Sequence, residues 1–143
     1  MRQEELMIGD WVLRDGEPYQ IRQLGIFGVD RDGEDYPAVC VGKPKGIGLI
    51  IERNEIGPIP LAAEILEKNF NSKELPDDPY GAYFFGGNDY IEVYIKEYTD
   101  GLWQVSVDEV EMGGLPSLRM FVSNVHELQH ALRLCGINKE ITI

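Results

Sequence analysis

Histidine, cysteine and positive charge are scarce in this chain of 143 residues, which has two histidines, two cysteines and 13 Lys and Arg against 25 Asp and Glu. Each shortage excludes something. Cys40 and Cys135 lie far apart, and two cysteines in a chain of this size make no disulfide framework, so free buried thiols are expected. Two histidines cannot supply three imidazole ligands to a catalytic zinc. No run of about 18 apolar residues is present, so no membrane-spanning helix is expected. The opening Met1-Arg2-Gln3-Glu4-Glu5 lacks the apolar stretch of a signal peptide, and a cytoplasmic location follows as an expectation. The net charge of −12 repels phosphate backbones and disfavours nucleic acid as a partner. Solubility is the simplest consequence of that charge. The sharper one is an acidic protein that meets a basic partner, including a decoy that imitates DNA.

What is present suffices for a core, since 43% of the residues are apolar. The length fits a single domain over 1–143, with a soft division into a β-rich lobe over 1–70 and a second part over 90–143. The expected class is α+β. Trp11 to Leu13 reads as a short strand, Asp15-Gly16 as a turn, and Tyr19 to Leu24 as the returning strand. Asp32-Gly33 marks another turn. Ala38 to Val41 and Ile47 to Ile51 read as further strands, separated by Lys43-Pro44-Lys45-Gly46. Short strands at even spacing imply a curled antiparallel sheet or a small barrel. The opening IGDWVL-RDGEPYQIRQL resembles the first hairpin of an SH3-like barrel, as in KOW or Tudor modules.

Pro58 and Pro60 then stop the β pattern, and Pro60 suits the first turn of a short central helix. Leu61, Ile65 and Leu66 fall on one face of it, and Asn69-Phe70 ends it. Residues 71–89 read as loop, with Pro76, Pro79, Gly81 and Gly86-Gly87 as breakers. Tyr80, Tyr83, Phe84 and Phe85 cluster inside this loop, where aromatic side chains suit partner contact. The same rings folded back over the core are the structural alternative. Tyr90 to Tyr98 alternates as a strand, with Ile91, Val93 and Ile95 on one face. Tyr90, Tyr94 and Tyr98 are on the other, and form a second candidate contact strip. Thr99-Asp100-Gly101 turns the chain, and Trp103, Val105 and Val107 alternate on its return. Gly113-Gly114 and Pro116 form a loop, Leu118 to Val122 a last strand, and Lys139 to Ile143 a closing edge strand.

The segment His126-Glu127-Leu128-Gln129-His130 matches the zinc-protease pattern H-E-x-x-H. A helix puts His126 and His130 one turn apart on one face, and Glu127 beside them is placed to deprotonate a metal-bound water. A third ligand is missing from the motif, and Cys135 lies well away from both histidines around the helix. Phe121, Val125, Leu128, Leu132 and Cys135 recur at helical spacing, and this stripe leaves both histidines on the solvent side. Glu127 has a structural use of its own, because Asn124 three residues earlier makes an N-cap and the pair a capping box. Gly136 fits the left-handed position after the helix, with Ile137 reaching back to Leu132. A helix over about 125–135 therefore accounts for most of these letters.

IGDWV, IGPIPLAAEILEKNF and VHELQHALRLCGINKEI together resemble a group of uncharacterised small proteins of gut bacteria, found in prophage-like or mobile-element neighbourhoods. The resemblance spans most of the chain. It implies no assigned activity, and it implies Asn in place of His130 and Gln in place of Glu127 among relatives, so that the metal pair is not shared. The expected function is therefore non-catalytic binding of another macromolecule, in phage or mobile-element biology. The alternative is a zinc-dependent hydrolase with His126 and His130 as ligands and Glu127 as base. A third reading, nucleic-acid binding through an SH3-like lobe, rests on Arg14, Arg22, Arg31, Lys43 and Lys45. Seven nearby carboxylates dilute that charge.

Overall fold

A computed structural model describes residues 5–77, 81–109 and 118–143. The chain divides into two compact units, Met1–Ile59 and Pro60–Ile143. Each is built on a five-stranded antiparallel sheet, and with two α-helices among the described residues the class is α+β. Among the described residues no helix is long and apolar enough to cross a membrane.

In the first unit, β1 (Trp11–Arg14) and β2 (Glu17–Val29) are joined by Asp15 and Gly16, both at positive φ. Two such residues make the tight turn whose twist matches the flanking strands. The strands β3 (Asp35–Gly42), β4 (Leu49–Glu52) and β5 (Gly57–Pro58) complete the order β4-β3-β2-β1-β5. The register of β2 against β3 slips between Ile21 and Gln23 and again before Ile26. Such slips bend a long strand, which is why this sheet curls. Among the described residues it does not close into a barrel, because β4 and β5 are its ends. Leu6, Val12, Ile21, Val39, Val41, Ile51 and Ile56 form its core.

The second unit begins with α1 (Ala63–Asn69) and runs through β6 (Asn71–Glu74), β7 (Ala82–Gly87), β8 (Ile91–Thr99), β9 (Leu102–Glu109) and β10 (Leu118–Val122) to α2 (Val125–Leu134). The helix α1 starts three residues after Pro60, which instead bridges to Asn124. The sheet order β10-β9-β8-β7-β6 corrects the reading of 71–89 as loop. Pro76 and Asp77 occupy only the connection, while Ala82–Gly87 pairs along β8 from Tyr83↔Lys96 to Gly87↔Glu92. The glycines that looked like breakers have a packing reason. A Cβ on Gly86 would stand 3.0 Å from the Phe70 ring, so the ring occupies the space a side chain would take. The loop expected at Gly113-Gly114 and Pro116 lies outside the described residues.

Phe84, Val93, Ile95, Trp103, Val105 and Val107 are buried on the inner face of this sheet, and the Trp103 indole donates to the Leu61 carbonyl at 3.0 Å. The hairpin alternation holds as read for the apolar residues: Val93, Ile95, Trp103, Val105 and Val107 are buried and Ile91 is half-buried. Burial of each such aliphatic side chain stabilises the fold by about 1.5–3 kcal/mol. The segment after α2 is not a strand. Ile141 is buried, and the Asn69 carboxamide holds the backbone of Thr142, accepting from its N–H and donating to its carbonyl, both at 2.8 Å. A side chain thus takes the place of a neighbouring strand.

Candidate functional site

The helix α2 carries the motif that names a chemistry. Asn124 is its N-cap, and Glu127 forms the capping box with it. The Glu127 carboxylate accepts from the backbone N–H of Ser123 at 2.7 Å and of Asn124 at 3.0 Å. These bonds satisfy two helix-end donors that would otherwise lack partners. At the other end Gly136 adopts φ +74, the Ile137 N–H donates to the Leu132 carbonyl and the Gly136 N–H to that of Arg133. That is a Schellman closure.

The two histidine rings lie 5.8 Å apart, centroid to centroid, at 80° to each other. Their surroundings correct the expectation of a solvent-facing pair. His126 is only 4% exposed, while His130 is half-buried. Val125, His126, Leu128, Gln129, Ala131 and Leu132 are all buried. At 100° per residue they cover about 220° of arc, far more than the apolar stripe alone. Phe121, counted in that stripe from the sequence, belongs to β10 and is exposed. Cys40 and Cys135 are half-buried free thiols, and burial pushes the Cys135 thiol up. Among the described residues no three His, Cys, Asp or Glu side chains come together as a metal-binding group. The carboxylate that the zinc reading needs as base, Glu127, is hydrogen-bonded to the helix end.

The aromatic candidates fare differently. Tyr83, Phe85 and Tyr94 come together on the outer face of the second sheet, with ring centroids 5.9 Å apart for Tyr83 and Phe85 and 6.2 Å for Tyr83 and Tyr94. Strand alternation puts them there: each lies one residue from a buried neighbour on its own strand. Tyr98 joins the same face through Phe121, whose ring it meets edge-on at 5.1 Å. Phe84 is not a contact residue. It is 3% exposed and packs on Trp103 at 6.1 Å. Tyr90 is exposed in the turn between β7 and β8, where the Asn88 side chain accepts from its N–H at 2.9 Å. Tyr80 lies outside the described residues.

The register orders the face into rows. Lys73, Tyr83, Lys96, Gln104 and Phe121 pair successively across the strands, as do Asn71, Phe85, Tyr94, Ser106 and Arg119 in the next row. Glu92 and Asp108 are directly opposed in the row beyond. The Tyr94 hydroxyl donates to Glu92 at 2.6 Å. That bond, with burial and the neighbouring carboxylates, pushes the Tyr94 phenol up to about 12. Phe121, Glu92 and Asp108 were not among the contact candidates read from the sequence. The strand alternation of Leu118, Met120 and Val122 carried the signal for Phe121, since it turns residues 119 and 121 to the other face.

Comparison of the chain with family models, with curated proteins and with solved structures finds no match.

Proposed function

We propose that this chain is a non-catalytic macromolecule-binding protein, and that its partner is another protein held on the outer face of the β6–β10 sheet. One observation carries the reading: five aromatic rings, of Tyr83, Phe85, Tyr94, Tyr98 and Phe121, share that face, in two sets joined by ring contacts. A sheet face turned to solvent is normally polar. Aromatic residues and Arg are the types enriched where proteins meet. Tyr98 is 55% exposed and Phe121 52%, so their apolar surface is offered rather than buried.

Charge on the face favours a protein over nucleic acid. Lys73, Lys96 and Arg119 stand on the same face as Glu92 and Asp108. The whole chain carries −12, and a phosphate backbone would have to overcome that. The resemblance to prophage-associated proteins supports a role in phage or mobile-element biology. A cytoplasmic location agrees with two free thiols and an acidic chain.

The test is quantitative capture with the purified protein as bait, run beside a Tyr98→Ala/Phe121→Ala variant and a Phe27→Ala control. Phe27 is exposed on the first unit. A stoichiometric protein retained by parent and control but lost by the face variant is expected. Equal retention by all three baits overturns the reading.

A further inference from the structure

The face is not uniform, and its carboxylate end has a chemistry of its own. Glu92 and Asp108 are directly opposed across β8 and β9, a like-charge pairing that costs stability wherever it is left uncompensated. The Glu92 carboxylate accepts from the Tyr94 hydroxyl. Among the described residues Asp108 Oδ1 is out of contact with solvent and has no hydrogen-bond donor. A buried carboxylate oxygen in that position gains from any donor that reaches it, most of all a charged one. Glu92, but not Asp108, lines a cleft of about 310 Å³, together with Asn71, Phe85, Gly86, Asn88 and Tyr94 among others.

We propose that this cleft takes a cationic side chain, Arg or Lys, of the protein partner, seated against the Phe85 and Tyr94 rings with its charge toward Glu92, behind which Asp108 adds a second negative charge. The proposal rests on the reading of the sheet face as a protein-binding surface. Aromatic rings attract a cation through their faces, and the Glu92 carboxylate in the same wall, with Asp108 across the strand pair, adds the charge that selects a cation over a neutral group. The chain's overall charge of −12 steers a basic segment toward the surface from a distance. On the neighbouring rows Lys73, Lys96 and Arg119 oppose a second cation, so the guest's positive group is confined to the Glu92–Asp108 end.

The experiment is an NMR titration of the full chain with an (Arg-Gly)4 peptide and with its uncharged citrulline counterpart. The expected result is saturable shifts at Phe85, Glu92 and Tyr94 with the arginine peptide, and none with the citrulline one. Glu92→Gln should weaken binding about five-fold or more, and Asp108→Asn by less, through the lost charge alone. Glu64→Gln, an exposed acid on α1, should leave it unchanged and so reports on diffuse attraction. Equal binding of the two peptides, shifts spread over the acidic surface, no shifts at all, or full affinity in Glu92→Gln would each overturn the proposal. The parent reading fails separately. If a captured partner is lost on Tyr98→Ala/Phe121→Ala but kept on Glu92→Gln, the face binds protein without a cationic anchor.

Discussion

The carboxylate of Glu127 closes on the backbone N–H of its own N-cap, Asn124, at 3.0 Å. A residue that sits where a metalloprotease keeps its general base is here part of the helix. Its replacement should therefore be felt in stability. Glu127→Ala is expected to lower unfolding free energy by about 1 kcal/mol, within the usual range for a lost cap. Urea denaturation followed by far-UV circular dichroism measures it. His130→Asn, on the half-buried side, should leave the midpoint close to that of the parent. Neither variant should change zinc content after incubation with zinc and dialysis, read by elemental mass spectrometry. One zinc per chain, lost in His130→Asn, would reverse this account of the motif.

Two glycines separate conformational cost from steric cost. Nothing stands within 4 Å of a Cβ placed on Gly136, so Gly136→Ala meets only the left-handed backbone at φ +74. A loss of about 1 kcal/mol is expected. At Gly87 a Cβ would overlap the Ile91 carbonyl oxygen, at φ +137. Gly87→Ala should cost about 3 kcal/mol or more, because the β7–β8 turn must open. Paired denaturation curves decide. Equal losses would contradict the geometry of the turn.

The Tyr94 phenol supplies a pH signature. Its folded value of about 12 lies above the ordinary 10.0. The folded state therefore holds a proton that the unfolded state releases first, and stability must fall as pH rises between those values. Below pH 10 the contribution is fully present. Absorbance titration near 295 nm should show a tyrosine step near pH 12. Glu92→Gln removes the largest cause and should bring that step back toward the ordinary 10.0. A late step that persists in Glu92→Gln would assign it to another tyrosine.

Much of this architecture is legible in the residues. Asp15-Gly16 fixes a turn at the first hairpin, the odd-numbered aliphatics of β8 and β9 fix which side faces the core, and Asn124, Glu127 and Gly136 mark both ends of α2. Local signals of this kind depend on neighbours a few residues away. What was not legible depends on distant partners. Gly86 looks like a breaker until Phe70, sixteen residues earlier, is seen to fill the space beside it. Phe121 fits both a helical stripe by spacing and the outward face of a strand by alternation, and its pairing with Gln104 decides for the strand. Phe84 and Phe85 are adjacent in sequence and opposite in fate, since alternation sends one to Trp103 and the other to Tyr83. The opposition of Glu92 and Asp108 is a matter of register, which hydrophobic pattern and turn length set together.

The contact face is tested most directly by photo-crosslinking in cells. Tyr98→p-benzoylphenylalanine places a reactive group on the face, and Leu134→p-benzoylphenylalanine places one at an exposed site on α2. Irradiation should give one discrete protein adduct from position 98, abolished by Phe121→Ala in the same chain, and none from position 134. An adduct from position 134 alone, or none from position 98 while the bait still captures its partner, would contradict the assignment of this face.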